Sequence, residues 1–391
     1  MAENEVFSGE GEREGRWAEF RREMPVARRW AYLDHAGVSP LPAPSQAALT
    51  NWAAEAAANG ATSWASWNHQ IEEVRLAGAT LLGALPEEIA LIRSTTEGVN
   101  LVAEGFPWRE GDNVVTLADE FPTNQYPWMN LASRHVETRR VAPQRGRVDL
   151  GQLAQACDSR TRIVTVSWVS YCSGWRMELD QLAELAHRRG ALLFVDAIQA
   201  LGVVPLDVRQ TPIDFLAADG HKWLLGPEGA GLFYVRREHL ARLRPMGLGW
   251  NSVQHAHEFD RIELALRPTA ARYEGGSQNM AGFLALRASL ALLARFGTEA
   301  ICRRIFEITD LACQRLEAFG AVVRSHRTPE HKSGIVVFDL PGRDPKQVRA
   351  RCLAQGVVVS CRGGGVRISP HAYNDASDLD RLMESLAGTS S

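Results

Sequence analysis

The sequence has few cysteines, no long apolar run and almost no net charge, and each absence excludes a class of protein. Its six cysteines are scattered through 391 residues without a C-x-x-C pair. This pattern argues against a disulfide framework or a cysteine-based metal site, and it predicts reduced, mostly buried thiols. No apolar stretch approaches the roughly 20 residues of a membrane span. We therefore expect no membrane partner and no bound metal ion.

The charge balance narrows the choice of partners further. The formal net charge is −3, with 45% hydrophobic and 23% charged residues, so nothing favours nucleic acid or an anionic membrane surface. The same composition allows a sizeable buried core, and the length suggests one large and one small domain. The acidic, polar N-terminus is unlike a signal or transit peptide, so we expect a cytoplasmic protein.

The most informative stretch of the chain runs from Leu192 to Val235. An apolar strand ends on Asp196, Gln199 follows, and a second apolar strand leads through His221 to Lys222. Lysine is rarely buried unless it is paired or used chemically, and a desolvated lysine with a lowered pKa is the usual Schiff-base nucleophile. Taken singly, Asp196 and Lys222 are each compatible with a surface position. Their combination at the ends of two buried strands favours chemistry.

The surrounding pattern indicates how these residues meet. From about residue 89 to residue 235, short apolar strands alternate with helical segments, which predicts βαβ units and a mainly parallel sheet. Ligands bind at the carboxyl ends of the strands in such sheets. The side chains that follow predicted strands directly are Ser94–Thr96, Phe121, Ser170–Tyr171, Asp196 and His221–Lys222. We expect them to converge on one site.

The Asp-x-x-Gln run, the His-Lys pair and the glycine-rich segment after it resemble the signature of the class V aminotransferase and cysteine desulfurase group of pyridoxal-phosphate (PLP) enzymes. Weaker resemblance extends from about Tyr32 to Arg381. It implies an α/β protein of fold type I, a three-layer αβα architecture with a mainly parallel sheet and a smaller α+β C-terminal domain. We expect a large PLP-binding domain over residues 33–265 and a small domain made of residues 1–32 and 266–391.

The resemblance implies PLP as the cofactor and a small-molecule amino acid as the substrate. Lys222 would carry PLP as a Schiff base and move the proton at the substrate Cα, while Asp196 would pair with the ring nitrogen. The other residues that the resemblance places at the cofactor are Phe121 on the ring, Ser170, Tyr171 and Gln199 at the phenolic oxygen, and Thr95, Thr96, His221 and Ser277 at the phosphate. In the family Ser277 comes from the neighbouring subunit, which implies a homodimer with shared active sites.

Two residues are expected to contact the substrate. The resemblance gives Arg367 the role of binding the α-carboxylate, which suits the bidentate fork of a guanidinium. His35 lies in an N-terminal segment that enters the active site in related proteins, so it is a candidate substrate neighbour. Without the resemblance, Arg367 would be a surface-paired strand residue, and His35 could equally cap its loop.

Departures from the family pattern leave the reaction open. Phe121 stands where desulfurases have a histidine, and Asp219 stands where they have a serine or threonine near the phosphate. Cys361 lies only six positions before Arg367, and the longer loop that carries the desulfurase cysteine is missing. The sequence therefore favours a class V aminotransferase. The alternatives are a cysteine desulfurase or related C–S lyase or epimerase, and, more remotely, a non-catalytic PLP-binding regulatory protein.

Overall fold

The computed structural model describes residues 10–388, with side chains from residue 14 onward, so positions 1–9 and 389–391 of the predicted small domain lie outside the described residues. Within this range the helices are α1 (Glu10–Arg22), α2 (Ala43–Asn59), α3 (Trp64–Leu82), α4 (Thr95–Gly105), α5 (Tyr126–Asn130), α6 (Leu150–Ala156), α7 (Leu179–Arg188), α8 (Met280–Phe296), α9 (Thr298–Ala318), α10 (Pro345–Ala354) and α11 (Ala376–Ala387). The strands are β1 (Ala31–Tyr32), β2 (Ile89–Ile92), β3 (Asn113–Leu117), β4 (Glu137–Val141), β5 (Thr161–Ser167), β6 (Leu192–Asp196), β7 (Phe215–Asp219), β8 (Gly231–Val235), β9 (Val322–Val323), β10 (Val336–Asp339), β11 (Val357–Val358), β12 (Ser360–Arg362) and β13 (Gly365–Ile368).

A seven-stranded sheet with the order β2-β8-β7-β6-β5-β3-β4 forms the centre of the larger part of the molecule. Neighbouring strands are parallel, except that β8 runs antiparallel to both β2 and β7. In this register Ser167 lies opposite Asp196, and Asp196 lies opposite Ala217. The carboxyl ends of β5, β6 and β7 therefore meet at one edge.

Both faces of this sheet are buried. Leu193 and Val195 of β6 belong to an apolar cluster with residues of α3, α7 and α8, whereas Phe194 belongs to a second cluster with residues of α4. Successive side chains of a strand point to opposite faces, so helices cover the sheet on two sides. The predicted three-layer αβα fold with a mainly parallel sheet is confirmed.

Local sequence explains where these helices begin and which side they bury. Ser94 caps α4, because its Oγ accepts the backbone N–H of Glu97 at 3.1 Å. In α7, Leu182 and Leu185 are buried three residues apart, while His187 and Arg188 lie in the last turn, where the helix dipole favours positive charge. Each helix thus presents an apolar stripe to the sheet and a polar side to solvent.

The C-terminal part forms a smaller α+β unit. Its antiparallel sheet has the order β12-β13-β10-β9, and it shares an apolar cluster with residues of α9, α10 and α11. The N-terminal arm joins this unit, because β1 pairs in parallel with β11, with Ala31 opposite Val357. The domain boundaries at residues 33 and 265 stay a prediction.

Helices α8 and α9 follow each other directly, with Gly297 between them. In the described part of the chain no single helix is long and apolar enough to cross a membrane. Together α8 and α9 meet the length and composition criterion, but only as a pair bent by 80°. Helix α8 packs against α2 and α3, and it buries Phe283 and Leu286 there.

Candidate active site

The site lies where β5, β6 and β7 end. Asp196 is the last residue of β6, and Asp219 is the last residue of β7. The chain leaves β7 through Gly220 and His221 to Lys222, which is half-buried. Parallel strands deliver their terminal side chains to a common edge, so two residues 26 positions apart in the sequence become neighbours.

Asp196 is buried and Lys222 is half-buried, and their opposite charges act on each other. Burial lowers the pKa of the Lys222 amine to about 8, and the Asp196 carboxylate opposes part of that fall. Burial also raises the pKa of Asp196 to about 6, against the effects of a 3.1 Å hydrogen bond from the Ile198 N–H and of the Lys222 charge. An amine with this pKa can gain and lose a proton near neutral pH.

Two aromatic rings, those of Phe121 and Tyr171, line the space next to Lys222. The Lys222 Nζ lies 5.6 Å from the centre of the Phe121 ring. Phe121 meets Tyr171 edge to face, with ring centres 5.2 Å apart and planes at 83°. The Phe121 side chain remains 42% exposed, so its face is accessible to a flat cofactor ring.

The start of α4 provides a place for an anion. Thr95 is buried, and its Oγ1 accepts the backbone N–H of Asp219 at 3.0 Å. The Thr96 Oγ1 lies 2.9 Å from the Thr123 Oγ1. Among the described residues, the backbone N–H groups of Thr95 and Thr96 have no hydrogen-bond acceptor. Free amides at a helix N-terminus suit a phosphate group.

The structure shows where the Asp219 carboxylate points. Its Oδ1 accepts the backbone N–H of Gly220 at 2.7 Å. Its Oδ2 lies 3.1 Å from the Nδ1 of His221, close enough for an ion pair but not aligned as a hydrogen bond. The Asp219 carboxylate thus interacts with the turn that follows β7 and with His221. The His221 Nδ1 is buried and, in the described part of the chain, makes no hydrogen bond.

Three further predicted cofactor residues lie in different surroundings. Gln199 is buried, and its amide donates to the Ala36 carbonyl at 3.1 Å and accepts the Trp223 Nε1–H at 2.9 Å. The Ser170 Oγ lies 3.3 Å from the Cys172 Sγ. Ser277 is exposed just before α8. A cross-subunit role for Ser277 stays a prediction.

Arg367 is almost fully buried in β13, at 1% exposure. Its Nη2 donates to the Asp34 Oδ1 at 2.8 Å, its Nε donates to the Ser360 Oγ at 3.1 Å, and its Nη1 donates to the Tyr171 carbonyl at 2.9 Å. Burial lowers the pKa of Arg367, while Asp34 opposes that change. Asp34 and Ser360 lie 326 positions apart, and neither was among the predicted site residues.

His35 lies behind the site, in the protein interior. It is 0% exposed, and its Nδ1 and Nε2 each lie 2.9 Å from a partner, the Ser369 carbonyl and the Tyr373 hydroxyl. Burial holds its pKa well below the ordinary value. A substrate contact through a ring nitrogen of His35 would require one of these bonds to break. The neighbouring Asp34 is the residue of this segment that reaches Arg367.

Cys361 lies in the small sheet, whereas Cys172 lies in the loop after β5. Ser360 pairs with Arg367 and Cys361 with Val366, and successive side chains of a strand point to opposite faces. Cys361 therefore points away from Arg367, and its Sγ donates to the Pro345 carbonyl at the start of α10 at 3.2 Å. Cys172, which sequence reasoning did not single out, follows Tyr171 on the site side.

A buried carboxyl group, Glu120, also escaped the sequence analysis as a site residue. Its side chain accepts both the backbone N–H and the hydroxyl of Ser167, and Ser167 lies opposite Asp196 in the sheet. Burial raises the pKa of Glu120 to about 8, and the Asp196 charge adds to the rise. Glu120 is therefore mostly protonated at neutral pH beside Asp196.

These groups fit PLP. The Lys222 amine can bond an aldehyde, the Asp196 carboxylate can pair with a ring nitrogen, the Phe121 ring can stack on a pyridine, and the free amides of α4 can hold a phosphate. The unpartnered His221 nitrogen adds a polar group that a ligand can use. A fold with these residues at the carboxyl edge of its sheet defines a PLP-dependent enzyme of fold type I.

Comparisons with known proteins agree. The sequence profile of the family described as Aminotransferase class-V matches residues 31–382, and the chain belongs to this family. It is 32% identical over 95% of its length to a probable cysteine desulfurase of Methanothermobacter thermautotrophicus, of which the alignment covers 97%. Membership of this family makes PLP the cofactor.

Solved structures show the same fold. The apo structure of a cysteine desulfurase from Thermococcus onnurineus aligns with a TM-score of 0.86 at 26% identity, covering 94% of this chain and 96% of that one. A variant of C-DES with glycine covalently linked to its PLP cofactor aligns with a TM-score of 0.88 at 21% identity, covering 94% and 99%. The second likeness supports the fold alone.

Proposed function

We propose that this protein cleaves the C–S bond of L-cysteine or a closely related sulfur amino acid, in a PLP-dependent reaction of the cysteine desulfurase type. The carrying observation is a half-buried Lys222 whose charge interacts with those of the buried Asp196 and Arg367, in a chain 32% identical to a probable cysteine desulfurase. Transamination, which the sequence analysis places first, has less support, because the relatives reported above are described as desulfurases.

The residues divide the chemistry between them. Arg367 binds the substrate α-carboxylate with the N–H groups that its own contacts leave free. The Phe121–Tyr171 pair shields the reacting atoms from water on one side. PLP, when bound, supplies the electron sink for the substrate carbanion. Lys222 moves the proton at the substrate Cα, and Asp196 keeps the ring nitrogen protonated.

The fate of the sulfur separates two versions of this proposal. In the desulfurase version, the C–S bond of cysteine breaks, an S–S bond forms to a protein thiol, and alanine leaves. In the lyase version, cysteine and water give pyruvate, ammonia and hydrogen sulfide, without a protein thiol. The orientation of Cys361 away from Arg367 favours the lyase as the second candidate.

Product analysis tests the proposal. We expect the PLP-loaded protein to release sulfide from L-cysteine, in the presence of a reductant, together with alanine or with pyruvate and ammonia. Alanine identifies the desulfurase version, and pyruvate identifies the lyase version. Conversion of the bound cofactor to its amine form, with release of a keto acid that still carries its sulfur, would instead establish transamination and contradict C–S cleavage.

We also propose that the active protein is a homodimer. An irregular segment before α8 exposes Phe259, Ile262 and Leu264, at 71%, 94% and 75%, and single-chain proteins rarely leave such a group of apolar side chains in water. The exposed Ser277 follows in the same part of the chain. Light scattering coupled to gel filtration should give twice the monomer mass, and a monomeric active protein would contradict this.

A further inference from the structure

Arg367 is a buried cation with one carboxylate partner. Among the described residues, Asp34 is the only acid within ion-pair distance of it, at 2.8 Å. A guanidinium at 1% exposure needs a compensating charge and hydrogen bonds to remain buried. Asp34 therefore matters to Arg367 even before a substrate arrives.

The contacts of Asp34 also fix the direction of the guanidinium. The Ser360 hydroxyl accepts from the Arg367 Nε at 3.1 Å and donates to the Asp34 Oδ1 at 2.8 Å. The same Asp34 oxygen accepts from the Arg367 Nη2. Three residues thus close a ring of hydrogen bonds along the Nε–Nη2 edge of the guanidinium.

Counting donors shows what remains for a ligand. A guanidinium has five N–H groups, and Asp34, Ser360 and the Tyr171 carbonyl use one each. One N–H is left on Nη1 and one on Nη2. Two N–H groups on neighbouring terminal nitrogens are the arrangement that binds a carboxylate with two parallel hydrogen bonds.

Asp34 is itself held firmly by its backbone. The Leu33 N–H donates to the Val358 carbonyl at 3.0 Å, and the His35 N–H donates to the Ser369 carbonyl at 3.1 Å. Gly37 lies against the Asp34 carboxylate, so closely that a Cβ at this position would be 2.6 Å from the Asp34 Oδ2. The position of Asp34 is therefore set by the N-terminal arm and the small sheet together.

We propose that Asp34 is a positioning residue for substrate recognition: with Ser360 it clamps the Nε–Nη2 edge of Arg367 and leaves one N–H on Nη1 and one on Nη2 for the α-carboxylate of the amino acid. The proposal rests on the proposed function, because it assigns the carboxylate of that substrate to Arg367. It adds a specificity role for Asp34, which makes the site selective for amino acids over amines.

The test compares two substrates in the PLP-loaded protein, L-cysteine and cysteamine, which lacks only the carboxylate. For Asp34→Ala we expect KM for L-cysteine to rise roughly 10-fold to 100-fold, the range for a hydrogen bond to a charged group, with kcat changed less than about 3-fold. Cysteamine should react with the variant as with the parent protein. Equal losses with both substrates, or no change in KM, would overturn the proposal.

Two further variants separate position from charge. Asp34→Asn keeps an oxygen that can accept from Arg367 and Ser360, so it should restore most of the affinity for L-cysteine, and a loss as large as that of Asp34→Ala overturns the clamp. Gly37→Ala keeps every charge and displaces the Asp34 carboxylate, so it should raise KM for L-cysteine alone. Gly37→Ala also serves if Asp34→Ala does not fold.

A remote ion pair provides the matched control. Asp112 is buried and accepts from Arg162 at 2.8 Å before β3, at the opposite edge of the large sheet. Asp112→Ala should lower stability without changing the preference for L-cysteine over cysteamine. A change in that preference would mean that lower stability alone alters substrate selectivity, and it would overturn the proposed role of Asp34.

Binding without turnover keeps this inference distinct from the proposed function. Propionate has a carboxylate but neither an amine nor a sulfur, and its dissociation constant can be measured by calorimetry. We expect weaker propionate binding to Asp34→Ala and near-parental binding to Asp34→Asn. If C–S cleavage is absent but propionate binding follows this order, the clamp stands and the proposed reaction falls. Unchanged propionate binding in Asp34→Ala overturns the clamp whatever the reaction is.

Discussion

The two halves of the site are built in different ways. Asp196 and Lys222 come from neighbouring strands of one sheet, whose order brings their ends together. Arg367 lies in β13 and is held by three residues from three other parts of the chain. These are Asp34 of the N-terminal arm, Tyr171 of the loop after β5, and Ser360 of β12. The cofactor half thus depends mainly on strand order, with support from the N-terminal arm, whose Ser39 N–H donates to the His221 carbonyl at 2.8 Å. The substrate half depends on how the same arm meets the small sheet.

This difference has a functional consequence. We expect the cofactor half to be less sensitive to changes in the small unit, because Asp196 and Lys222 follow the ends of neighbouring strands of one sheet. The substrate half holds together only when the arm, the small sheet and the Tyr171 loop are all in place. Variants that damage one half should therefore leave a distinct signature from variants that damage the other, in the cofactor spectrum or in substrate affinity.

The largest effect is expected in the cofactor half. Lys222→Ala removes the amine that bonds PLP and moves the Cα proton, and we expect the rate of sulfide release to fall by at least about 100-fold. The visible spectrum of bound PLP should change at the same time, since its lysine link is lost. Both are measured on protein incubated with PLP and then freed of excess cofactor.

The other two lysines of the chain provide controls, because neither adjoins Asp196. They are Lys332, which pairs with Asp310 at 2.6 Å, and Lys346 at the start of α10. Lys332→Ala should keep the spectrum and the rate. A Lys222→Ala variant that retains the parental rate would overturn both the location of the active site and the proposed PLP-dependent reaction.

A smaller effect is expected from the buried carboxyl group beside Asp196. Burial raises the pKa of Glu120 from the ordinary 4.5 to about 8. Between these values the folded protein holds a proton that the unfolded chain has released, so the free energy of unfolding falls as the pH rises from about 4.5 to 8. Glu120→Gln cannot ionise and should flatten this dependence, by at most a few kcal/mol.

Thermal unfolding midpoints of the PLP-loaded protein across pH 5 to about 8 measure the effect, in the range where the group titrates. Glu184→Gln is the matched control, because the Glu184 carboxylate is exposed on α7 and pairs with Arg188 at the surface. It should leave the pH profile unchanged. An equally steep profile in Glu120→Gln would show that another group carries the pH dependence.

The contrast between the cofactor half and the substrate half also shows how much of the fold and the site could be predicted from the sequence. Alternating strands and helices, with Asp196 and Lys222 just after strands, predicted the parallel sheet and the convergence of these two residues at its carboxyl edge. The sequence could not show that Asp34 and Ser360 hold Arg367, because contacts across more than 300 positions leave no local pattern. It could not show that His35 turns inward either, since a buried and an exposed histidine in a loop have the same spacing.

The smallest effect is expected at Cys361, and it tests the substrate half most directly. Strand pairing places Ser360 and Arg367 on one face and Cys361 on the other, toward α10. Cys361→Ser should therefore change the rates of sulfide and alanine formation from L-cysteine by less than about 2-fold, the scale of a surface substitution.

Cys172→Ser is the matched variant, because the Cys172 thiol lies near Ser170 and Asp119. A selective loss of alanine in Cys172→Ser would identify the accepting thiol. A 10-fold loss in Cys361→Ser would instead contradict the placement of Cys361 on the face turned away from Arg367, and it would make Cys361 the candidate for the accepting thiol.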